Sequence, residues 1–229
     1  FVCGVCCSHC NHPKLMNSIK DIFNEHSKIK LIHLEDCKMT EGIDKLYDYI
    51  RKRGGSNICY WNLRDNAFDD INNFIDIVNL TTGNLYFLDL SNCNLDEDFM
   101  VKLYKALEKF PSLQQLYVGG SANSKSVISA FDKLLSSYES NAGEDGEVNL
   151  TGLDFSNVDH VEDYLEILNK HVIPLVYLKI ADLEGYRNMD DACTQLVILI
   201  KNSMTLNTLD LSNSHCGEFN LERIISEIS

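Results

Sequence analysis

The chain has 229 residues and carries 20 Lys and Arg against 34 Asp and Glu, a formal charge of −14. Hydrophobic residues at 45% with three prolines argue for a packed fold over a disordered one, and the acidity argues against a nucleic-acid binder, which needs phosphate-neutralising cations on one face. No stretch approaches the roughly 18 apolar residues that span a bilayer, and nine cysteines, an odd number, point to free thiols in a reducing, cytoplasmic compartment.

The chain opens on Phe1, not Met, without a signal peptide, and reads as a fragment or a processed form. Its first residues, Cys3-Gly-Val-Cys6-Cys7-Ser-His9-Cys10-Asn-His12, hold two C-x2-C pairs and two histidines. Three readings compete. Cys3, Cys6, Cys7 and Cys10 suit tetrahedral zinc. Cys3 or Cys6 could be exposed reactive thiols. Or the segment is the first unit of a repeat, with Val2, Val5 and Cys7 pointing inward, Cys10 in a turn, and Ile19 and Phe23 on a following helix. Cys6 and Cys7 are adjacent and would point to opposite faces of a strand. That favours the third reading, so neither metal nor cofactor is expected.

The repeat is clearest at Leu85-Tyr-Phe-Leu-Asp-Leu-Ser-Asn-Cys-Asn-Leu95, which reads L-x-x-L-x-L-x-x-C-x-L and is followed by helix-spaced Met100, Leu103 and Leu107. Before it, the template fits Ile29, Ile32, Leu34, Cys37 and Met39, with Ile43, Leu46 and Ile50 behind. It fits again at Ile58, Trp61, Leu63, Asn66 and Phe68, with Ile71, Phe74 and Val78. After it come Leu113, Leu116, Val118 and Ser121, with Val127, Phe131 and Leu135. Weaker copies begin at Leu150 and Leu175, and a strong one at Leu206 (Leu209, Leu211, Ser214, Cys216). With the first unit near Val2, the starts are 2, 29, 58, 85, 113, 150, 175 and 206, about eight units in one domain over 1–229. The long interval after 113 is taken up by Ser136–Gly146, a small, polar, acidic run with two glycines that predicts an exposed loop insertion. The chain closes on a helix over Glu222–Ile228. No polar cap unit precedes Val2 or follows that helix, so the parent solenoid is expected to continue on at least one side.

The L-x-L core alternates with period two and makes a short strand; the following i, i+3, i+7 stripe makes a helix. One strand and one helix cannot bury their own apolar faces, so units must stack. The expected fold is therefore α/β, a horseshoe solenoid with parallel strands on the concave face and helices on the convex face. Its segments LYFLDLSNCNL (Leu85–Leu95) and LNTLDLSNS (Leu206–Ser214) resemble ribonuclease-inhibitor-like leucine-rich repeats. Lys105–Leu116 and Ile198–Asn213 look most like repeats of CARMIL-type actin regulators, tropomodulin and Ran GTPase-activating proteins. Similar repeats close NACHT-type innate-immune receptors. The turn before the helix usually holds Gly in that family; Gly42 matches, whereas Asp98 stands near that place in the clearest unit. The resemblance implies a Cys or Asn in the turn, where Cys37, Asn66 and Cys93 stand.

Phosphate-loop, dinucleotide, nucleophile-elbow and zincin motifs do not occur, and the histidines are scattered; His33 beside Glu35 reads as a solvated pair. What the fold supplies is a surface. The concave rows bring together Leu31, Tyr60 and Phe87, with Tyr117 on the next strand, as one apolar patch. His33, Asn62, Arg64, Tyr177 and Lys179 share that face, and Asp89, Asp154 and Asp210 charge it negatively. The leading expectation is a non-enzymatic protein-binding module of a larger intracellular protein, an actin-regulatory or signalling scaffold, whose concave face takes a basic protein partner. The alternatives are a Ran-type GTPase-activating protein, for which Arg64 is the one concave arginine, and the ligand-sensing segment of a NACHT-type receptor.

Overall fold

The computed structural model describes residues 4–10, 14–25, 28–39, 42–52, 57–68, 72–81, 85–142, 148–183, 188–214 and 216–228. Cys3, His12, His26, Ile71, His215 and 143–147 lie outside the described residues, as do the Phe23 side chain and Phe1 and Val2.

Among the described residues strand and helix alternate eight times. The first four pairs are β1 (Gly4–Ser8) and α1 (Leu15–Glu25), β2 (Leu31–Glu35) and α2 (Gly42–Lys52), β3 (Tyr60–Asn62) and α3 (Asn72–Leu80), β4 (Phe87–Asp89) and α4 (Glu97–Leu107). Then follow β5 (Gln115–Tyr117) and α5 (Lys125–Asn141), β6 (Gly152–Asp154) and α6 (Val161–Lys170), β7 (Tyr177–Lys179) and α7 (Met189–Asn202), β8 (Thr208–Asp210) and α8 (Glu218–Ile228). The strands form one open, all-parallel sheet in sequence order. Parallel strands sit about 4.8 Å apart, whereas packed helices need about 8–10 Å. The sheet therefore lines the inside of the curve and the helices the outside, as the repeat spacing predicts.

The inward positions Ile32, Leu34, Trp61, Leu63, Leu88, Leu90, Leu116 and Val118 are fully buried and join the helix stripes in one core running the length of the stack. Trp61 stands edge-on to Phe74 at 5.4 Å. In the last unit Leu206, Leu209 and Leu211 are only partly covered.

The turn after each strand explains its small polar residue. Cys37 Sγ donates to the Cys7 carbonyl at 3.2 Å, Asn66 Nδ2 to Leu34 at 2.6 Å, Cys93 Sγ to Leu63 at 3.1 Å and Ser214 Oγ to Ile180 at 2.6 Å. Each reaches a carbonyl at or beside the end of the preceding unit's strand and so ties one unit to the next. Burial pushes the Cys93 thiol up to about 12, so it stays a neutral donor.

One expectation is corrected. Ser136–Gly146 is not a loop throughout: α5 runs on through Asn141. Its apolar stripe continues from Val127, Phe131 and Leu134 to Tyr138, which is 1% exposed and donates to the Leu107 carbonyl at 3.1 Å. The polar residues tolerate the helix because Ser136, Ser140 and Asn141 return hydrogen bonds to carbonyls four residues back.

That longer helix also meets His171, just beyond α6. Its imidazole is buried between two α5 carboxylates, Nε2 at 2.8 Å from Asp132 and Nδ1 at 2.9 Å from Glu139, whose other oxygen accepts from the Val172 N–H. Both ring nitrogens can donate only in the imidazolium. Burial pulls the His171 pKa down, but the bonds to Asp132 and Glu139 outweigh it and hold it above the ordinary 6.5. Burial pushes Glu139 up, yet His171 and the Val172 N–H hold it below 4.5. A raised histidine stabilises the fold fully below 6.5 and loses that contribution as pH climbs through the folded value; the depressed Glu139 loses its share only in acid. His171→Gln should therefore cost most stability near pH 6 and progressively less as pH climbs through the raised folded value, read by urea midpoints across pH. A gap that stays constant with pH would mean the ring acts by packing alone.

Candidate interaction surface

On the concave face the register sets two rows. Gly4, Leu31, Tyr60, Phe87, Gln115, Gly152, Tyr177 and Thr208 are partners across the sheet. Two residues on, Cys6, His33, Asn62, Asp89, Tyr117, Asp154, Lys179 and Asp210 form the second row. Strand spacing lets adjacent side chains in a row touch. Tyr60 and Phe87 accordingly stack at 4.1 Å with planes 7° apart.

The aromatic series then changes rows. β5 offers Gln115 in the first row, and the next ring is Tyr117 in the second, edge-on to Phe87 at 5.5 Å. Tyr117 leads on to Tyr177 at 5.8 Å, across the intervening β6. Gly152 makes this crossing possible: a Cβ there would lie 3.1 Å from Gln115 Cγ and 3.4 Å from the Tyr117 hydroxyl. That hydroxyl donates to Gln115 Oε1 at 3.1 Å. Burial raises the phenol pKa of Tyr60, Tyr117 and Tyr177, and the carboxylates beneath add to the rise, so all three remain neutral donors. The result is a half-exposed ladder, Tyr60–Phe87–Tyr117–Tyr177, with half-buried Leu31 beside Tyr60. Tyr86 extends it: its ring is 6.0 Å from Tyr60, and the residue is 38% exposed. Tyr86 escapes a reading by rows because it stands one residue ahead of the first of them, just before β4; the aromatic pair Tyr86-Phe87 was the available signal.

The aspartates take a different place from the one expected. Asp89 and Asp154 are 4% and 3% exposed. Asp89 accepts from the Ser91 N–H at 2.9 Å, and Asp154 from the Ser156 N–H at 2.8 Å and its hydroxyl at 2.5 Å. Asp210 does the same with Ser212 but is more open, and Asn62 accepts from the Arg64 N–H at 3.1 Å. These side chains close the turn at the strand's end, supplying an acceptor where the ladder provides none. Burial raises the Asp89 carboxyl, against the Ser91 N–H and the charge of Arg64; the Ser212 hydroxyl, then its N–H, lower Asp210. Lys179 Nζ lies 3.7 Å from Asp154, and Arg64 Nε donates to Asp65 at 3.1 Å. Much of the row's charge is thus answered inside the protein. His33 stands 3.3 Å from Glu35, the pair the sequence suggests, and 3.2 Å from Ser8 Oγ.

Three residues beyond the second row lies a series no motif announced. His9, Asp36, Asp65, Asn92, Gly120, Asn157, Asp182 and Asn213 all adopt positive φ, between 46° and 72°. Asn, Asp and Gly enter that region at least cost. Their N–H groups continue the sheet pattern, as in Asp65 to the Ser91 carbonyl at 2.9 Å and Asn92 to Gly119 at 2.7 Å. Side chains pair along it: His9–Asp36 at 2.9 Å, Asn92–Asp65 at 2.8 Å and Asn213–Asp182 at 3.0 Å. Exposed Asp65 and Asp182 and partly exposed Asp36 make this edge the accessible acidic rim of the face.

At the N-terminal end, Cys6 is exposed while Cys7 and Cys10 pack partly against the core. Among the described residues no group of three or more His, Cys, Asp or Glu side chains is disposed to hold a metal ion, and no helix is long and apolar enough to cross a membrane. No protein-family model and no curated protein matches the chain.

Proposed function

We propose that the chain is a non-enzymatic protein-interaction module that binds a basic protein partner across the concave face. The observation that carries this reading is the ladder Tyr60–Phe87–Tyr117–Tyr177, four half-exposed rings in mutual contact on an open sheet face. Rings held by their neighbours lose little entropy on contact, which suits them as interface anchors. The acidic rim of Asp36, Asp65 and Asp182, together with the formal charge of −14, supports a basic partner, attracted over longer range than the rings can act. The likeness of Lys105–Leu116 and Ile198–Asn213 to repeats of actin-regulatory proteins supports a regulatory scaffold as the setting.

A photo-crosslinking residue at Gln115, between Phe87 and Gly152 in the first row, identifies the partner; titration then measures its affinity. Tyr60→Ala with Phe87→Ala should weaken binding by at least about 30-fold, roughly 2 kcal/mol, because two adjacent anchors are lost. The fold should keep all but about 1 kcal/mol of its stability, the usual value of one exposed aromatic pair. Unchanged affinity in a folded double variant would sink the assignment.

A further inference from the structure

We infer that Cys193 and Cys216 are an oxidative modification site, which hydrogen peroxide closes into a disulfide tying α7 to the turn ahead of α8. The repeat employs its other buried thiols, Cys37 and Cys93, as donors to carbonyls of the preceding unit. In the last unit Ser214 does that work, and Cys193 and Cys216 are left over.

Cys216 stands where the earlier units place a large apolar residue, Met39 or Leu95, each 2% exposed. The shorter side chain leaves a small gap there, walled by Cys193, Cys216, Leu183, Leu196, Leu211 and Ser214. Both thiols are free and line it together. Cys193 is 2% exposed and held by α7, whereas Cys216 is partly open to solvent. The next residue, Gly217, has φ +74° and no heavy atom within 4 Å of where a Cβ would stand. The turn is thus unobstructed beside Cys216, and closing the bond asks it to move towards a Cys193 held by α7.

The pair also divides the chemistry. The neighbouring Cys193 holds the Cys216 thiol below the ordinary value, while interaction with Cys216 and burial push the Cys193 thiol well up. Cys216 is thus the thiolate that attacks. Its sulfur takes one peroxide oxygen, the O–O bond breaks, and Cys216 becomes a sulfenic acid as hydroxide leaves. That hydroxide removes the Cys193 proton as water. The Cys193 sulfur then attacks the Cys216 sulfur; the S–S bond forms, the S–O bond breaks, and the second hydroxide leaves to be protonated by solvent. Two thiols and one peroxide give one disulfide and two waters.

The test treats the reduced chain with hydrogen peroxide, unfolds it in alkylating agent and maps its peptides without reduction. The expected product joins the Cys193 and Cys216 peptides, lighter than their sum by two hydrogens, and reverts with dithiothreitol. Cys193→Ala should leave Cys216 as a sulfenic acid captured by a 1,3-diketone probe, and Cys216→Ser should leave Cys193 fully alkylated. Should the wild-type chain yield alkylated Cys193 with Cys216 either intact or over-oxidised, or link Cys216 to exposed Cys6 of a second molecule, the proposal fails. The wild-type map decides the matter even where a variant does not fold.

Discussion

Asn66→Ala should destabilise the fold by about 3–5 kcal/mol, with a fall in Tm of roughly 10 °C. The side chain is fully buried, and its amide serves five backbone groups. Oδ1 accepts from the N–H groups of Cys37 at 3.0 Å and Met39 at 3.3 Å. Nδ2 donates to the carbonyls of Leu34 at 2.6 Å, Leu63 at 2.8 Å and Arg64 at 3.1 Å. Alanine leaves two donors and three acceptors between units with no side chain to meet them, and each buried orphan costs about 1–3 kcal/mol. Cysteine, which fills the same turn at Cys37 and Cys93, restores a donor to the carbonyls but no acceptor for the Cys37 and Met39 N–H groups. Asn66→Cys should therefore recover about half the loss, and Asn66→Asp, setting a carboxylate against three carbonyls, should be worse than alanine. Urea midpoints order the three variants. Equal losses for alanine and cysteine would show that the amide's donor side contributes nothing.

The same turn shows what the amino-acid order makes legible. A side chain that must be short, polar and able to donate leaves a visible residue class, so Cys37, Asn66 and Cys93 could be placed in advance. Likewise Leu88 and Leu90 declare a strand by period two, and stacking such units permits little except a parallel sheet in chain order. The first concave row was legible for the same reason: a fixed register makes Leu31, Tyr60 and Phe87 neighbours. Row membership gives a face but no depth. Asp89 and Asp154 lie on the expected face, yet they are buried and bound to Ser91 and Ser156. The recurring Asp-x-Ser at 89–91, 154–156 and 210–212 is the local signal of those turns. The positive-φ series from His9 to Asn213 was also present as a column of Asp, Asn and Gly. The His171 clamp left no such trace, because its partners Asp132 and Glu139 lie 39 and 32 residues earlier and meet it only through the stacking of α5 on the unit after it.

That junction carries the second large effect. Phe131, fully buried on α5, stands 5.4 Å from Tyr104 of α4, 5.2 Å from Tyr164 of α6 and 5.5 Å from Phe155, which stacks on Tyr164 at 4.2 Å. The Tyr104 and Tyr164 hydroxyls meet at 3.2 Å across the α5 layer. Phe131→Ala removes the ring on which both tyrosines rest and leaves a cavity that two hydrogen-bonded phenols cannot readily fill. The cost should be about 3–5 kcal/mol, and Phe131→Leu, which keeps most of the volume, should cost under about 2 kcal/mol. The loss should also be local. In a solenoid each unit rests mainly on its neighbours, the Tyr104–Tyr164 pair here reaching one unit further, and besides Phe131 the α5–α6 joint is held by the His171 clamp. Native-state hydrogen exchange on Phe131→Ala should therefore show protection falling in α5 and α6 while α2 and α3, fastened through Asn66 and their own core, keep theirs. Protection lost equally from α2 to α7 would mean that the eight units open as a single body, and that the joint beside Phe131 is no weaker than the others.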